Sequence, residues 1–426
     1  MTAAQTSLIF TEQDAKMLSC RRWFISIMAL NFNAVILLLF SMGFLGCFSG
    51  QGQIYAIETT SKIQLNEQVE RQSAALNWLE STAAKYARYK ISYPAEGIVH
   101  AKGLAPVGAN LVRVNILEIN KKINKRIDVR PETASSYLNA RVKIGTIANR
   151  ANAIAAVNGG YFKPQTGVPL GALMINNELL TGPIYDRAAI GFNQDGTYSI
   201  GKTDIKFSIE NRRVHIKVDN INQPRMLSTY TLLYTDKWGK NSPPPPKYGS
   251  NIVIKDESAV GIYKTAVEIP KGGYVISAPD DVIKQLDGQR RLHLNILYPE
   301  AFINSEHIIS GGPFLLKDGE IYIDAKEEKL NSITGRNPRT LIGYTENNNL
   351  ILVTVDGREK YSVGMSLYEA AKFMKQLGCV NAINLDGGSS SVMYLKGKIT
   401  NTPPASGGIP ISGAITVGLN EVTAEK

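Results

Sequence analysis

Ser366-Leu367-Tyr368-Glu369-Ala370-Ala371-Lys372-Phe373-Met374-Lys375-Gln376-Leu377-Gly378-Cys379-Val380-Asn381-Ala382-Ile383-Asn384-Leu385-Asp386-Gly387-Gly388 is the stretch from which the fold is read. Ser366 and Glu369 stand three apart, the spacing of a capping box. Leu367, Ala370, Ala371, Met374 and Leu377 recur at the interval that buries one helix face, and Gly378 is a stop. A helix is therefore predicted over 366–377. Val380 to Leu385 reads as a buried strand, and Leu350 to Val355, upstream, as another. Strand, helix, strand in that order is a crossover packed on a sheet. The expected class is α+β, or mixed α/β: a sheet-rich domain with an internal pseudo-repeat and a crossover helix.

The second strand runs into Asp386-Gly387-Gly388-Ser389-Ser390-Ser391. Two glycines let the backbone turn tightly and approach a ligand, with a carboxylate before them and three hydroxyls after. That chemistry suits a polyhydroxylated or phosphorylated ligand, and the same letters also write a plain Asp-Gly hairpin. The pattern recurs. Asn158-Gly159-Gly160-Tyr161-Phe162 resembles Ser310-Gly311-Gly312-Pro313-Phe314, and Arg187 to Phe192 resembles Arg339 to Tyr344, with the same offset of 152 residues. The expectation is that Asn158, Ser310 and Asp386 end equivalent strands and line one pocket; the competing reading is an old duplication kept for packing.

Gly335-Arg336-Asn337-Pro338-Arg339-Thr340 places two arginines about a stiff turn. Their planar forks match phosphate oxygens, although arginines also bridge loops. Val353-Thr354-Val355-Asp356-Gly357-Arg358 brings another carboxylate to a strand end. If its strand neighbours that of Asp386, the two would form an acid–base pair for glycosidic cleavage; Asp356 reads equally as a turn residue.

Around this core the chain of 426 residues is 44% hydrophobic and 20% charged, with a formal charge of +10. Lys16, Arg21 and Arg22 precede an apolar run from Trp23 to Phe48, long enough to span a bilayer. Residues 1–22 are expected in the cytoplasm and 23–48 as an uncleaved signal anchor or signal peptide, with the remainder outside the cytoplasm. Cleavage near Ala56, giving a secreted chain, is the alternative. Residues 57–93 read as a helical stalk or brace, with Ile63, Leu65, Val69, Leu76, Leu79, Ala83 and Tyr86 inward, ended by Tyr93-Pro94. The domain proper is expected over 97–426, with 203–300 inserted or elaborated around the stiff run Pro243 to Pro246.

Several function classes find no support. The basic stretch from Arg113 to Arg150 lacks interleaved aromatics and reads as a solvated face, so no nucleic-acid partner is expected. Four scattered histidines do not make a zinc site. Neither a Gly-x-Ser-x-Gly elbow nor a Walker loop occurs. Beyond the apolar run Cys379 stands alone and reads as a buried structural thiol. No cofactor is assigned; a calcium or magnesium ion on Asp386 or Asp356 is left open.

Taken together and in this order, the five motifs beginning at Asn158, Ser310, Gly335, Val353 and Asn384 resemble the phosphodiester glycosidase family, over roughly 97–419. The resemblance implies hydrolysis of a sugar–phosphate diester on the sugar side, in a cell-surface or extracellular glycan. Arg336 and Arg339 would hold the phosphate, and Asp386, partnered by Asp356, would be the catalytic carboxylate. Asn158, Gly159, Gly160, Ser310, Gly311, Gly312, Thr340, Arg358, Gly387, Gly388, Ser389 and Ser390 would contact substrate. Members commonly carry a third glycine where this chain has Ser389. Two other readings stand beside this one: a membrane-tethered glycan-binding protein of exopolysaccharide or cell-wall assembly without turnover, and a transferase acting on the same bond.

Overall fold

The computed structural model describes residues 69–420. The chain divides into Met1–Val69 and Glu70–Lys426, and the architecture below is that of the second unit. The expected cytoplasmic tail, the apolar segment 23–48, the cleavage point at Ala56 and the first part of the 57–93 helix lie outside the described residues. Among the described residues no helix is long and apolar enough to cross a membrane.

One eight-stranded sheet organises the molecule. Its edge strand β1 (Lys90–Ala95) is followed by β2 (Ile98–Val107) and β3 (Asn110–Ile119). Ten strands bear on the site, and the others are β4 (Ala155–Asn158), β5 (Ala188–Asn193), β6 (Ser305–Ser310), β7 (Phe314–Lys317), β8 (Arg339–Thr345), β9 (Leu350–Val355) and β10 (Cys379–Asn384). The large sheet runs β1-β2-β3-β9-β8-β10-β7 and ends at Glu320–Ile321, each neighbouring pair antiparallel. The strand expected at Leu350 to Val355 is there, residue for residue. It does not neighbour β10, however: β8 lies between them, so β9 and β10 run parallel one strand apart.

The two sheet faces have separate cores, as alternation along a strand demands. Val112, Val114, Ile116, Leu341, Val353 and Val355 pack against two helices, and Leu117, Ile119, Ile342, Leu352 and Ile383 pack against a second layer of strands. The helices are α1, residues 69–85, and α2, Leu367–Gln376. The predicted capping box is formed in full, and Leu367, Ala370, Ala371, Met374 and Leu377 are all buried. Gly378 takes φ +82°, the left-handed turn that ends α2. Cys379 is buried, and burial pushes its thiol up to about 12.

The expected face of α1 needs correction. Its buried positions are Trp78 and Thr82, with Tyr86 buried as expected just past its end, while Val69 is 54% exposed and Leu79 only partly covered. Tyr93-Pro94 lies within β1 and does not end the helix, which stops at residue 85. Proline is tolerated there because β1 is an edge strand. The helix is pinned to the sheet by Glu118, 2% exposed, on β3. Its carboxylate accepts from Lys85 Nζ at 2.7 Å, Tyr86 OH at 2.5 Å and Asn349 Nδ2 at 2.8 Å.

The second layer contains β4 between Met393–Leu395 and the final strand Gly413–Leu419, and a further sheet in which β6 pairs with β5. Residues 206–297 add a three-stranded and a five-stranded sheet around Ile209, Ile252, Ile276 and Ile283. Pro243 to Pro246 lie outside any strand. Replacing Glu118 by alanine would leave the Tyr86 hydroxyl unpaired in the core; a loss of about 2–3 kcal/mol is expected in urea denaturation.

Candidate active site

Three strand ends meet beneath the site. Asn158 at the end of β4 lies opposite Ala414, Ser310 at the end of β6 opposite Ala189, and Asn384 at the end of β10 opposite Leu341. The next backbone N–H of each, from Gly159, Gly311 and Leu385, donates to the carbonyl of Gly413, Ala188 and Thr340 at 3.0, 2.9 and 2.8 Å. Pairing thus makes Asn384, not Asp386, the counterpart of Asn158 and Ser310. Leu385 and Asp386 are two added residues. Leu385 is fully buried and anchors the addition in the core, while Asp386 lies half-buried at the cleft.

The turns are locked together by side chains. Asn158 donates from Nδ2 to the Asp386 carbonyl at 2.7 Å, and its Oδ1 accepts from Thr340 Oγ1 at 2.6 Å and Val392 N at 3.1 Å. Tyr161 OH donates to the Gly312 carbonyl at 2.9 Å and accepts from Asn384 Nδ2 at 2.9 Å. Ser310 Oγ accepts from Ala172 N at 2.8 Å. A Cβ at Gly160 would strike the Ser310 carbonyl. The three turns therefore share one centre, but the expected shared pocket is corrected. Gly159, Gly160 and Ser310 face a separate cavity of about 20 Å³, with room for about one water.

Only the third turn opens into a larger cleft, of about 360 Å³, whose wall carries Tyr161, Phe162, Asn337, Arg339, Arg358, Asn384, Gly387, Gly388, Ser389, Ser390, Ile409 and Arg141. Among the described residues Asp386 is the sole carboxylate on that wall. Gly387 N donates to its Oδ1 at 2.9 Å. Burial pushes its carboxyl up to about 6, against the pull of Ser390, Gly387 and Arg187, which favour the anion. Gly388 has φ +61° and lies under the Arg358 guanidinium, so a side chain there would be strained and crowded. Arg358 donates to Asn337 Oδ1 at 3.0 Å and reaches Ser389 Oγ at 3.5 Å.

The arginine pair is not a phosphate clamp in this geometry. Arg336 is paired with Glu369, its Nε 3.1 Å from Oε2 and Nη2 2.5 Å from Oε1, and Arg336 holds the Glu369 carboxyl down at about 2. Arg339 is buried and donates to the carbonyls of Met365, Ile333 and Gly335 at 2.8, 2.5 and 2.5 Å, its guanidinium lowered to about 10 by burial. Asp356 is likewise occupied. Its carboxylate accepts from Asn401 Nδ2 at 3.1 Å and Thr402 N at 3.0 Å, and it does not line the cleft. The proposed carboxylate pair is therefore not assembled there. Among the described residues no three His, Cys, Asp or Glu side chains gather as a metal-ligand set.

Sequence reasoning misses four residues. Arg141 sits in the stretch that reads as a solvated face. Tyr161 stands out only as part of a motif. Asn384 precedes the more conspicuous aspartate, and its Oδ1 is buried without a partner. Arg187 is 8% exposed, with its guanidinium 4.9 Å from the Tyr161 ring centroid. The repeat holds the signal for Arg187, since it precedes the acceptor Ala188 as Arg339 precedes the acceptor Thr340. Replacing Arg339 by lysine keeps the charge but cannot serve three carbonyls. It is expected to cost about 2 kcal/mol or more by urea denaturation, whereas Arg336→Ala leaves the midpoint little changed.

Known proteins share much of this chain. The family model described as Phosphodiester glycosidase matches residues 248–418. The resemblance drawn from the motifs is borne out over that span, which holds the motifs beginning at Ser310, Gly335, Val353 and Asn384; the Asn158 motif lies outside it. Among curated proteins it is 31% identical over 153 residues to the N-acetylglucosamine-1-phosphodiester alpha-N-acetylglucosaminidase of Bos taurus, covering 32% of this chain and 29% of that protein. It is also 32% identical over 122 residues to the SPbeta prophage-derived uncharacterized protein YomE of Bacillus subtilis, covering 29% of this chain and 18% of the other. The chain thus spans less than a third of the length of these relatives. A solved hypothetical protein from Synechocystis superposes with a TM-score of 0.73 at 27% identity, covering 78% of this chain and 64% of that one.

Proposed function

We propose that this protein hydrolyses a glycosyl phosphodiester at the sugar–oxygen bond, with Asp386 as the catalytic carboxylate. The observation that carries the reading is a lone, raised carboxyl in a cleft walled by arginines and hydroxyls, on a chain with the phosphodiester glycosidase signature. Glycosidases commonly need a second carboxyl to protonate the leaving oxygen. A phosphate leaving group is already a stable anion and asks instead for positive charge. Asp386, ionised, takes the proton from the attacking water. Arg358, exposed on the cleft wall and free of carboxylate partners among the described contacts, meets the charge gathering on phosphate, aided by Ser389. Asn384, buried beneath the cleft, orients the turn through the bonds its Nδ2 donates to Tyr161 OH and the Gly312 carbonyl. Asn158 and Thr340 hold the Asp386 loop and do not touch substrate.

The sequence supports a location for this reaction. A basic flank ahead of the apolar run 23–48 fits a signal anchor, which would hold the enzyme at the membrane with its domain facing a phosphate-linked glycan of the cell envelope. Alkaline extraction of membranes tests it: release of the intact chain would overturn the anchor.

Incubation with a chromogenic glycosyl phosphodiester should release free sugar and a phosphate monoester. Binding without release would favour the glycan-binding reading, and sugar joined to an acceptor would favour transfer. Activity should rise with pH through about 6, as Asp386 ionises. Arg358→Ala is expected to lower kcat/KM by about 100-fold.

Asp386→Asn should abolish turnover, and its effect on stability has a definite sign. A carboxyl raised in the folded state binds more protons folded than unfolded between its two pKa values, so it weakens the fold as pH rises through that window. The variant should therefore melt above the wild type at pH 8, with the gain fading near pH 4.

A further inference from the structure

Behind the cleft wall lies a buried ionic cluster that the reaction above does not use. Glu328 is fully buried. Its Oε1 accepts from Ala188 N at 2.9 Å and from Lys202 Nζ at 2.7 Å. Its Oε2 has no partner and lies against Gly312, where a Cβ would collide with it. The Glu328 carbonyl faces Arg187 Nε at 3.5 Å. Lys202 also pairs with Asp324, which is 3% exposed.

Two of these contacts lead to the reacting group. Ala188, held by Glu328, directly follows Arg187, whose guanidinium covers the Tyr161 ring and acts electrostatically on both Glu328 and Asp386. Gly312, against Glu328 Oε2, gives its carbonyl to Tyr161 OH and to Asn384 Nδ2, both on the cleft wall. Arg187 thus stands between a buried carboxyl, Glu328, and the half-buried one of Asp386.

We propose that Glu328 is a positioning residue that fixes Arg187 behind the cleft and sets how much of its positive charge acts on Asp386. The inference rests on the reading of Asp386 as the catalytic carboxylate. Glu328 touches no reacting atom; it acts through Arg187. The charged groups about it are Lys202, Asp324 and Arg187, with Asp186 and Asp204 beyond Lys202. An ionised Glu328 offsets Arg187 and leaves Asp386 less stabilised as an anion. A neutral residue in its place removes the negative charge that opposes Arg187 there, so the Asp386 titration moves down. Burial raises the Glu328 carboxyl, while the hydrogen bonds from Lys202 and Ala188 favour its anion, the form that opposes Arg187.

The test is a carboxyl 13C NMR titration of Asp386 in wild type and Glu328→Gln, beside the pH profile of kcat. The amide keeps the shape of the carboxylate and its acceptor toward Ala188. Both the titration and the acid limb of kcat should move downward together, by about half a unit or more. Lys202→Met, which favours the neutral acid at 328, should move them the same way. A folded Glu328→Gln protein with an unshifted Asp386 overturns the proposal, even if kcat falls. The NMR arm needs no substrate: an inactive wild type whose Asp386 still shifts would sink the reaction and spare the coupling. Should Glu328→Gln fail to fold, the lysine variant decides by the same shift or its absence.

Discussion

The amide of Asn158 is the contact on which the rest of the site depends. It is buried, and both of its ends are occupied: Nδ2 by the Asp386 carbonyl, Oδ1 by Thr340 and Val392. Asn158 itself ends a strand of the second layer, and its partners come from the start of β8 in the large sheet and from the chain on either side of the serine turn. A buried amide left half-satisfied costs about 1–3 kcal/mol. The two layers therefore approach only where all three bonds close at once. The position of Asp386 follows from that closure.

Seen from Asn158, the pseudo-repeat has a clear physical meaning. Three strand ends present their next N–H to a neighbouring carbonyl in the same way, and in two of the three an arginine directly precedes the receiving residue. Where the copies agree, the side chains serve packing. Where the third copy adds Leu385 and Asp386, a carboxylate reaches the cleft. Arg187 and Arg339 take related positions but different duties: one spends its fork on three carbonyls, the other lies over a tyrosine ring between acids.

Much of this is legible in the letters. The helix with its capping box, the strands at Leu350 and Val380, the family motifs and the prominence of Asp386 are all written in local spacing, where a few residues determine the outcome. The errors share a cause as well. The arginines of Gly335 to Thr340 look like anion forks because sequence shows a donor without showing what it meets, and Asp356 reads as a free acid for the same reason. The counterpart of Ser310 is displaced by two residues, since matching glycines by eye ignores which residue pairs across the sheet. Arg141 and Glu328 give no local signal. One is joined to the site by the fold of a loop, the other by burial behind Gly312.

The last strand, Gly413–Leu419, carries a consequence for how the protein comes into being. It inserts between β4 and Ile127–Thr133, pairing with both, and its first residue receives the N–H of Gly159. The strand that ends at Asn158 thus gains one of its two neighbours only when nearly the whole described chain is available. Such distant pairings form late and slowly compared with local ones. Until that strand is in place, Asp386 and the arginines around it lack the frame that holds the Asn158 turn.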